Sequence, residues 1–309
     1  MAITASQVKE LREMTGAGMM DCKKALTATD GDMDKAVEWL RENGLAKAEK
    51  KSGRIAAEGM VAVDVAEDGK VASIVEVNSE TDFVAKNEKF QTYVAEVAAQ
   101  AKNTSATTLE EFMAEKWTAD DAGSVEEKLK AMIAVIGENM NIRRFEKVTT
   151  NGLLVSYIHA GGKIGVLVEA DTDSNSDAVK ECLKNVAMQV AALNPKFCSR
   201  KEVDQDYIAH ETEILTAAAK KEKPDANDKI INGMVQGRIN KELKEICLLD
   251  QVYVKAEDGK QSVEKYIESV AKAEGVKLEV VKFVRFETGE GIEKKEEDFA
   301  AEVAAQMGQ

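Results

Sequence analysis

The chain runs to 309 residues, long enough for two or three domains with a substantial core, and its 44% hydrophobic and 32% charged residues are an ordinary soluble balance. A net charge of −14 argues against a nucleic-acid partner, because affinity for phosphate rests on clustered Lys and Arg. No run reaches the roughly 18 apolar residues of a membrane span, and Met1-Ala2-Ile3-Thr4 lacks the pattern of a secretory leader, so a cytoplasmic protein with no membrane partner is expected.

Two Pro in the whole chain and abundant Ala, Lys and Glu point to a largely helical protein. Residues 4 to about 44 read as three short helices. Thr4 and Gln7 form a capping box ahead of Val8, Leu11 and Met14, which recur at helical spacing. Gly16-Ala17-Gly18 breaks the first helix, Met19-Met20 opens the second, and Asp30-Gly31-Asp32 breaks and recaps. The third holds Val37, Trp39 and Leu40 and is expected to stop at Asn43-Gly44. Met19 and Met20 are neighbours about 100° apart on a helix, so they cannot both face inward. Either one is exposed as an adaptable contact, or both are partly tucked into a small core. Ala46 to Arg54 is Lys-rich and reads as a linker or a solvated helix.

An internal duplication follows. Gly59, Asp68-Gly69 and Val75-Glu76 recur as Gly152, Gly161-Gly162 and Val168-Glu169 at a constant offset of 93, and Val97-Ala98-Ala99 recurs as Val190-Ala191-Ala192. Each copy reads as a β-hairpin feeding a helix. Ser124-Val125-Glu126 leading to Arg144-Phe145-Glu146 is matched by Ser262-Val263-Glu264 leading to Arg285-Phe286-Glu287, which gives each copy a second helix and a third strand. The interval from Asn194 to Ser262 is 68 residues, against 23 from Ala101 to Ser124. The surplus of 45 falls around 200–245, in two charged helical runs separated by Lys223-Pro224-Asp225, and reads as an inserted antiparallel helical hairpin.

Between hairpin and helix in the first copy lies Thr81-Asp82-Phe83-Val84-Ala85-Lys86-Asn87, a turn by its own hydrogen-bonding residues. Phe83 either folds back on the core or is offered to a partner. The offset of 93 turns Asp82 and Phe83 into Asn175 and Ser176, which predicts the same turn in the second copy without the aromatic. A Phe needed to close the core would leave its twin with a cavity worth several kcal/mol, so the outward Phe is the simpler reading. The tail ends in a Gly-broken turn, 287–293, and a short amphipathic helix at Asp298–Ala305.

Catalytic patterns are weak. His159 and His210 show no metal-ligand spacing, Asp120-Asp121 lies in a solvated run, and no Gly-Lys-Ser/Thr phosphate loop exists. Cys22, Cys182, Cys198 and Cys247 are scattered, as free thiols in a reducing compartment would be. No enzyme activity and no cofactor are expected.

The run Gly16 to Leu26 (GAGMMDCKKAL) and the loop Thr81 to Asn87 closely resemble the bacterial elongation factor Ts family, as do Gly137-Glu138-Asn139-Met140-Asn141-Ile142-Arg143-Arg144 and Arg285-Phe286-Glu287 with Gly289 to Lys294. The resemblance spans essentially the whole chain in order. It implies an α+β fold: a ubiquitin-associated-like helical module and linker (1–54), a duplicated core of small antiparallel sheets packed with helices (55–147; 148–199 and 246–287), an inserted coiled-coil arm (200–245) and a C-terminal module (288–309). It implies a guanine-nucleotide exchange factor whose partner is elongation factor Tu, touched on its GTPase domain and on a further domain. Thr81, Asp82, Phe83 and Val84 would push in beside the nucleotide and dislodge Mg2+. Leu11, Met19 and Met20 would touch the GTPase domain, and His159 and the arm residues Met234 and Val235 would make further contacts. Two rivals stand against this reading: a ubiquitin-type adaptor using 4–44 alone, indifferent to Phe83, and a nucleic-acid binder, which the charge opposes.

Overall fold

The computed structural model describes residues 3–293. Helix α1 (Ala5–Thr15) starts on the expected capping box and ends where Gly16 turns left-handed, and α2 (Met19–Ala28) follows the break. Asp32 caps α3 (Met33–Lys51), which does not stop at Asn43-Gly44 but runs through it for two further turns. Packing overrides the sequence signal here. Gly44 is buried, and a Cβ on it would lie 3.2 Å from the Cβ of Ala134 on a neighbouring helix, so the glycine permits close approach instead of ending the element. Leu11, Cys22, Ala25, Leu26 and Ala36 form the small core of this module, with Trp39, Val37 and Leu40 at its margin.

The duplicated core follows the expected order. Strands β1 (Glu58–Val65) and β2 (Val71–Ser79) form the first hairpin, followed by the single-turn α4 (Asp82–Ala85), α5 (Glu88–Asn103), the short α6 (Leu109–Ala114), α7 (Val125–Ile136) and β3 (Met140–Thr149). The second copy has β4 (Leu153–His159), β5 (Ile164–Asp171) and α8 (Asp177–Leu193), then the insertion, then α11 (Val263–Glu274) and β6 (Glu279–Glu287). Both sheets are antiparallel and ordered alike, β1-β2-β3 and β4-β5-β6. Even the irregularity repeats: the ladder slips between Glu76 and Val77 in one copy and between Glu169 and Ala170 in the other.

Each copy buries its own core. Phe90, Tyr93, Val94 and Val97 of α5 pack with Phe112, Trp117 and β2 in the first, and Val179, Leu183, Val186 and Val190 of α8 pack with β5 and α11 in the second. A third cluster, including Val61, Ile74, Leu154, Leu167, Val284 and Phe286, draws side chains from both sheets and fastens the copies face to face. Glu76 sits at this seam. It is fully buried, held by Arg143 Nη1 at 3.1 Å and Arg144 Nε at 2.6 Å, and it accepts the Gly289 N–H at 2.8 Å from beyond β6.

The insertion is the antiparallel pair α9 (Gln205–Glu222) and α10 (Asp228–Ile246), turning at Pro224. Ala219, Ile231, Val235, Ile239 and Leu243 make a core belonging to the hairpin itself, clipped at its root where Phe197 pairs with Cys247. The helix expected at Asp298–Ala305 lies outside the described residues.

Candidate functional site

The loop after β2 is a braced turn with its aromatic outside. Thr81 is in extended conformation and caps α4, its hydroxyl accepting the Val84 N–H at 3.3 Å. Val84 and Ala85 face the first core. Phe83, one residue away on a single helical turn, therefore points outward and is 80% exposed. Lys86 donates to Asp82 Oδ2 at 2.7 Å and lies 6.0 Å from the centre of the Phe83 ring. That hydrogen bond holds the Asp82 carboxyl below its ordinary value, so the tip carries a firmly ionised carboxylate beside an exposed ring. The second copy does not repeat the turn. Ser176 caps the long helix α8 directly, with no separate helical turn before it, because the chain there has no apolar pair like Val84-Ala85 to seat one.

A crossed clasp holds the loop. The Thr81 N–H donates to Glu138 Oε2 at 3.0 Å and the Thr81 hydroxyl to Glu138 Oε1 at 2.7 Å. Reciprocally, the Asn139 N–H donates to Glu80 Oε1 at 2.5 Å. Glu138 is set by Gly137, which caps α7 at φ 91°, a left-handed conformation glycine adopts at little cost, and swings the chain into β3. The N-terminal module reaches the same place: Arg54 Nη1 pairs with Glu80 at 3.4 Å, and the Arg54 carbonyl accepts from Asn139 Nδ2 at 2.7 Å.

The expected contact residues are placed unevenly. Met19 and Met20 are both exposed, at 55% and 65%, so neither is tucked into the module core. The break before their helix lies near Lys89 at the head of α5, the helix the loop feeds: a Cβ at Gly16 would stand 3.6 Å from Lys89 Nζ. His159 is exposed at the end of β4, its Nδ1 3.0 Å from the Tyr157 hydroxyl. It leads into the tight turn Ala160–Gly162, which, like α4, lies against β1. Leu11 is fully buried, and Val235 is 4% exposed inside the hairpin, with Met234 half-buried beside it. Leu11 and Val235 thus face inward, because each occupies the apolar stripe its own helix needs for folding. Glu138 and Glu80, which brace the turn, carry no mark of that role in the sequence, where each is one more charge in a polar run.

Metal-binding and thiol chemistry find little footing among the described residues. No group of three or more His, Cys, Asp or Glu there is arranged to hold a metal ion. All four cysteines are buried and free, and burial pushes Cys198 up to about 12 and Cys182 and Cys247 up to about 11, so these three remain thiols at neutral pH. No described helix is long and apolar enough to cross a membrane.

The profile of the family described as Elongation factor TS matches residues 80–290, from the clasp to the Gly289 turn. Curated relatives named elongation factor Ts cover the chain end to end. Those of Clostridioides difficile (strain 630), Clostridium botulinum (strain Eklund 17B / Type B) and Clostridium tetani (strain Massachusetts / E88) are 55%, 56% and 54% identical, each over 99% of this chain and 99% of their own. Fold and matches together define a translation elongation factor. Within that class, the chain belongs to the elongation factor Ts family.

Proposed function

We propose that this chain binds elongation factor Tu in its GDP form and speeds GDP release, allowing GTP to rebind, without bond chemistry of its own. The observation that carries the reading is the exposed Phe83 on a turn braced by Glu138, beside a charged Asp82. An exchange factor needs only to lower its partner's affinity for nucleotide when bound, and that coupling is reciprocal. In a GTPase, Mg2+ bridges the phosphates to the protein, so a ring wedged beside the site that shifts a Mg2+ ligand weakens GDP binding. Thr81, Asp82, Phe83 and Val84 supply the wedge. Met19 and Met20 on the ubiquitin-associated-like module give an adaptable apolar grip on the same domain, with Leu11 fixing α2 from beneath. His159 and the coiled-coil arm, through Met234, make further contacts with the partner, with Val235 holding the arm together. The setting is cytoplasmic, with elongation factor Tu as the partner and neither nucleic acid nor membrane involved.

Release of fluorescent GDP from loaded elongation factor Tu at saturating factor tests this. Phe83→Ala slows release on the order of 30-fold or more, the size of a lost hot-spot anchor. Thermal stability stays within about 0.5 kcal/mol, since the ring is largely exposed and its neighbour Lys86 is a solvated ammonium. An undiminished rate overturns the wedge.

A further inference from the structure

We propose that Glu138 is the positioning residue of the Phe83 loop, a role resting on the wedge reading above. Its carboxylate holds Thr81 twice, through the backbone N–H and through the hydroxyl. A carboxylate only accepts, so the Thr81 hydroxyl proton points to Glu138 and the oxygen's lone pair is left facing α4, where the Val84 N–H meets it. One side chain therefore fixes both the start of the turn and the cap of the helix that carries Phe83. Glu80 closes the clasp from the other strand through the Asn139 N–H.

The duplication separates this role from a general need of the fold. Ser124 and Ser262 cap equivalent helices, and Gly137 and Gly275 end them in the same left-handed conformation. One residue on, Glu138 is matched by Val276, and Asn139 by Lys277, whose ammonium pairs with Asp171 instead. Thr81 is matched by Ser174, whose N–H goes to the Thr172 hydroxyl. The copy without the aromatic turn has the same strand order and capping glycine, and a single tie from the Ser176 hydroxyl to Glu274 at 2.9 Å, but there no carboxylate takes up the backbone N–H of Ser174 or Ser176 as Glu138 does that of Thr81. The two-point hold through Glu138, not the hydroxyl tie alone, goes with the wedge.

Holding the turn in advance removes the ordering cost from the step in which the ring is driven in, not from first encounter. GDP release from elongation factor Tu, followed over a range of factor concentrations, reads the two apart. Glu138→Ala lowers the maximal rate roughly five- to tenfold while the half-saturating concentration moves by less than about twofold, the effect of losing two hydrogen bonds to a charged acceptor. Glu138→Gln falls between, since an amide still accepts the Thr81 N–H but presents a donor to the hydroxyl. In a Phe83→Ala background Glu138→Ala changes nothing further, because it acts only through the ring. A normal maximal rate for Glu138→Ala beside a slow Phe83→Ala overturns the assignment, as does an equal loss in both backgrounds. A Phe83→Ala chain with normal release sinks the wedge reading, and this role with it. If Glu138→Ala does not fold, Glu138→Gln and Thr81→Val carry the same comparison.

Discussion

The two copies of the core share strand order, the slip in the middle strand, and helices that begin on matching Ser caps and end on matching glycines. They differ in what they add. The first grows a four-residue helix with an exposed ring and a carboxylate clasp beneath it; the second grows the α9–α10 hairpin with a core of its own. What repeats is what buries apolar surface and satisfies the backbone. The exposed ring and its brace do not repeat, so the duplicated fold sets that turn apart from its scaffold.

The seam between the copies is where the comparison can be broken hardest. Glu76 and Glu169 occupy equivalent places on their middle strands, yet Glu76 is fully buried among two arginines and the Gly289 N–H while Glu169 is half-buried opposite Lys282. Burial alone would push the Glu76 carboxyl up; the Gly289 N–H, the Asn78 amide and the Arg144 and Arg143 guanidinium groups outweigh it and hold it below its ordinary value of 4.5. A carboxyl lowered in the folded state stabilises above the unfolded value and loses that contribution as pH falls through the folded one. Glu76→Gln costs about 2 kcal/mol at neutral pH in urea unfolding, because it strips the charge from a buried network. It also flattens the loss of stability that the lowered carboxyl predicts for the parent chain as the pH falls below 4.5. Glu169→Gln stays within about 0.5 kcal/mol. Equal costs at the two positions would mean that the seam network is not what distinguishes the copies.

Much of this was legible in the sequence because the signals were local. Thr4, Asp32, Ser124 and Ser262 are caps, and the structure uses all four as caps. The offset of 93 exposed the duplication, and the surplus of 45 located the helical pair. The failures are tertiary. Gly44 carries the mark of a helix end, and only the approach of Ala134 shows why it sits mid-helix. Val235 and Leu11 were expected at a partner, yet apolar spacing cannot say whether such a residue faces its own core or another protein. Glu138 reads as one more solvated charge until β3 is placed beside β2, because the clasp closes between residues 57 apart in the chain.

The smallest effect bears on whether an aromatic alone makes the working part. Ser176 stands where the offset places the equivalent of Phe83, but its hydroxyl oxygen accepts the Val179 N–H at 3.3 Å and its proton goes to Glu274 at 2.9 Å. Ser176→Phe removes the cap of α8 and lowers stability by about 1 kcal/mol, read as a shift in the urea midpoint. It gives no gain in GDP release, and combined with Phe83→Ala it restores none. The new ring would stand on a segment with no separate turn to present it and with Val276 in the place of Glu138. Restored release from that double variant would show that exposure of a phenyl ring suffices and that the brace beneath Phe83 is dispensable.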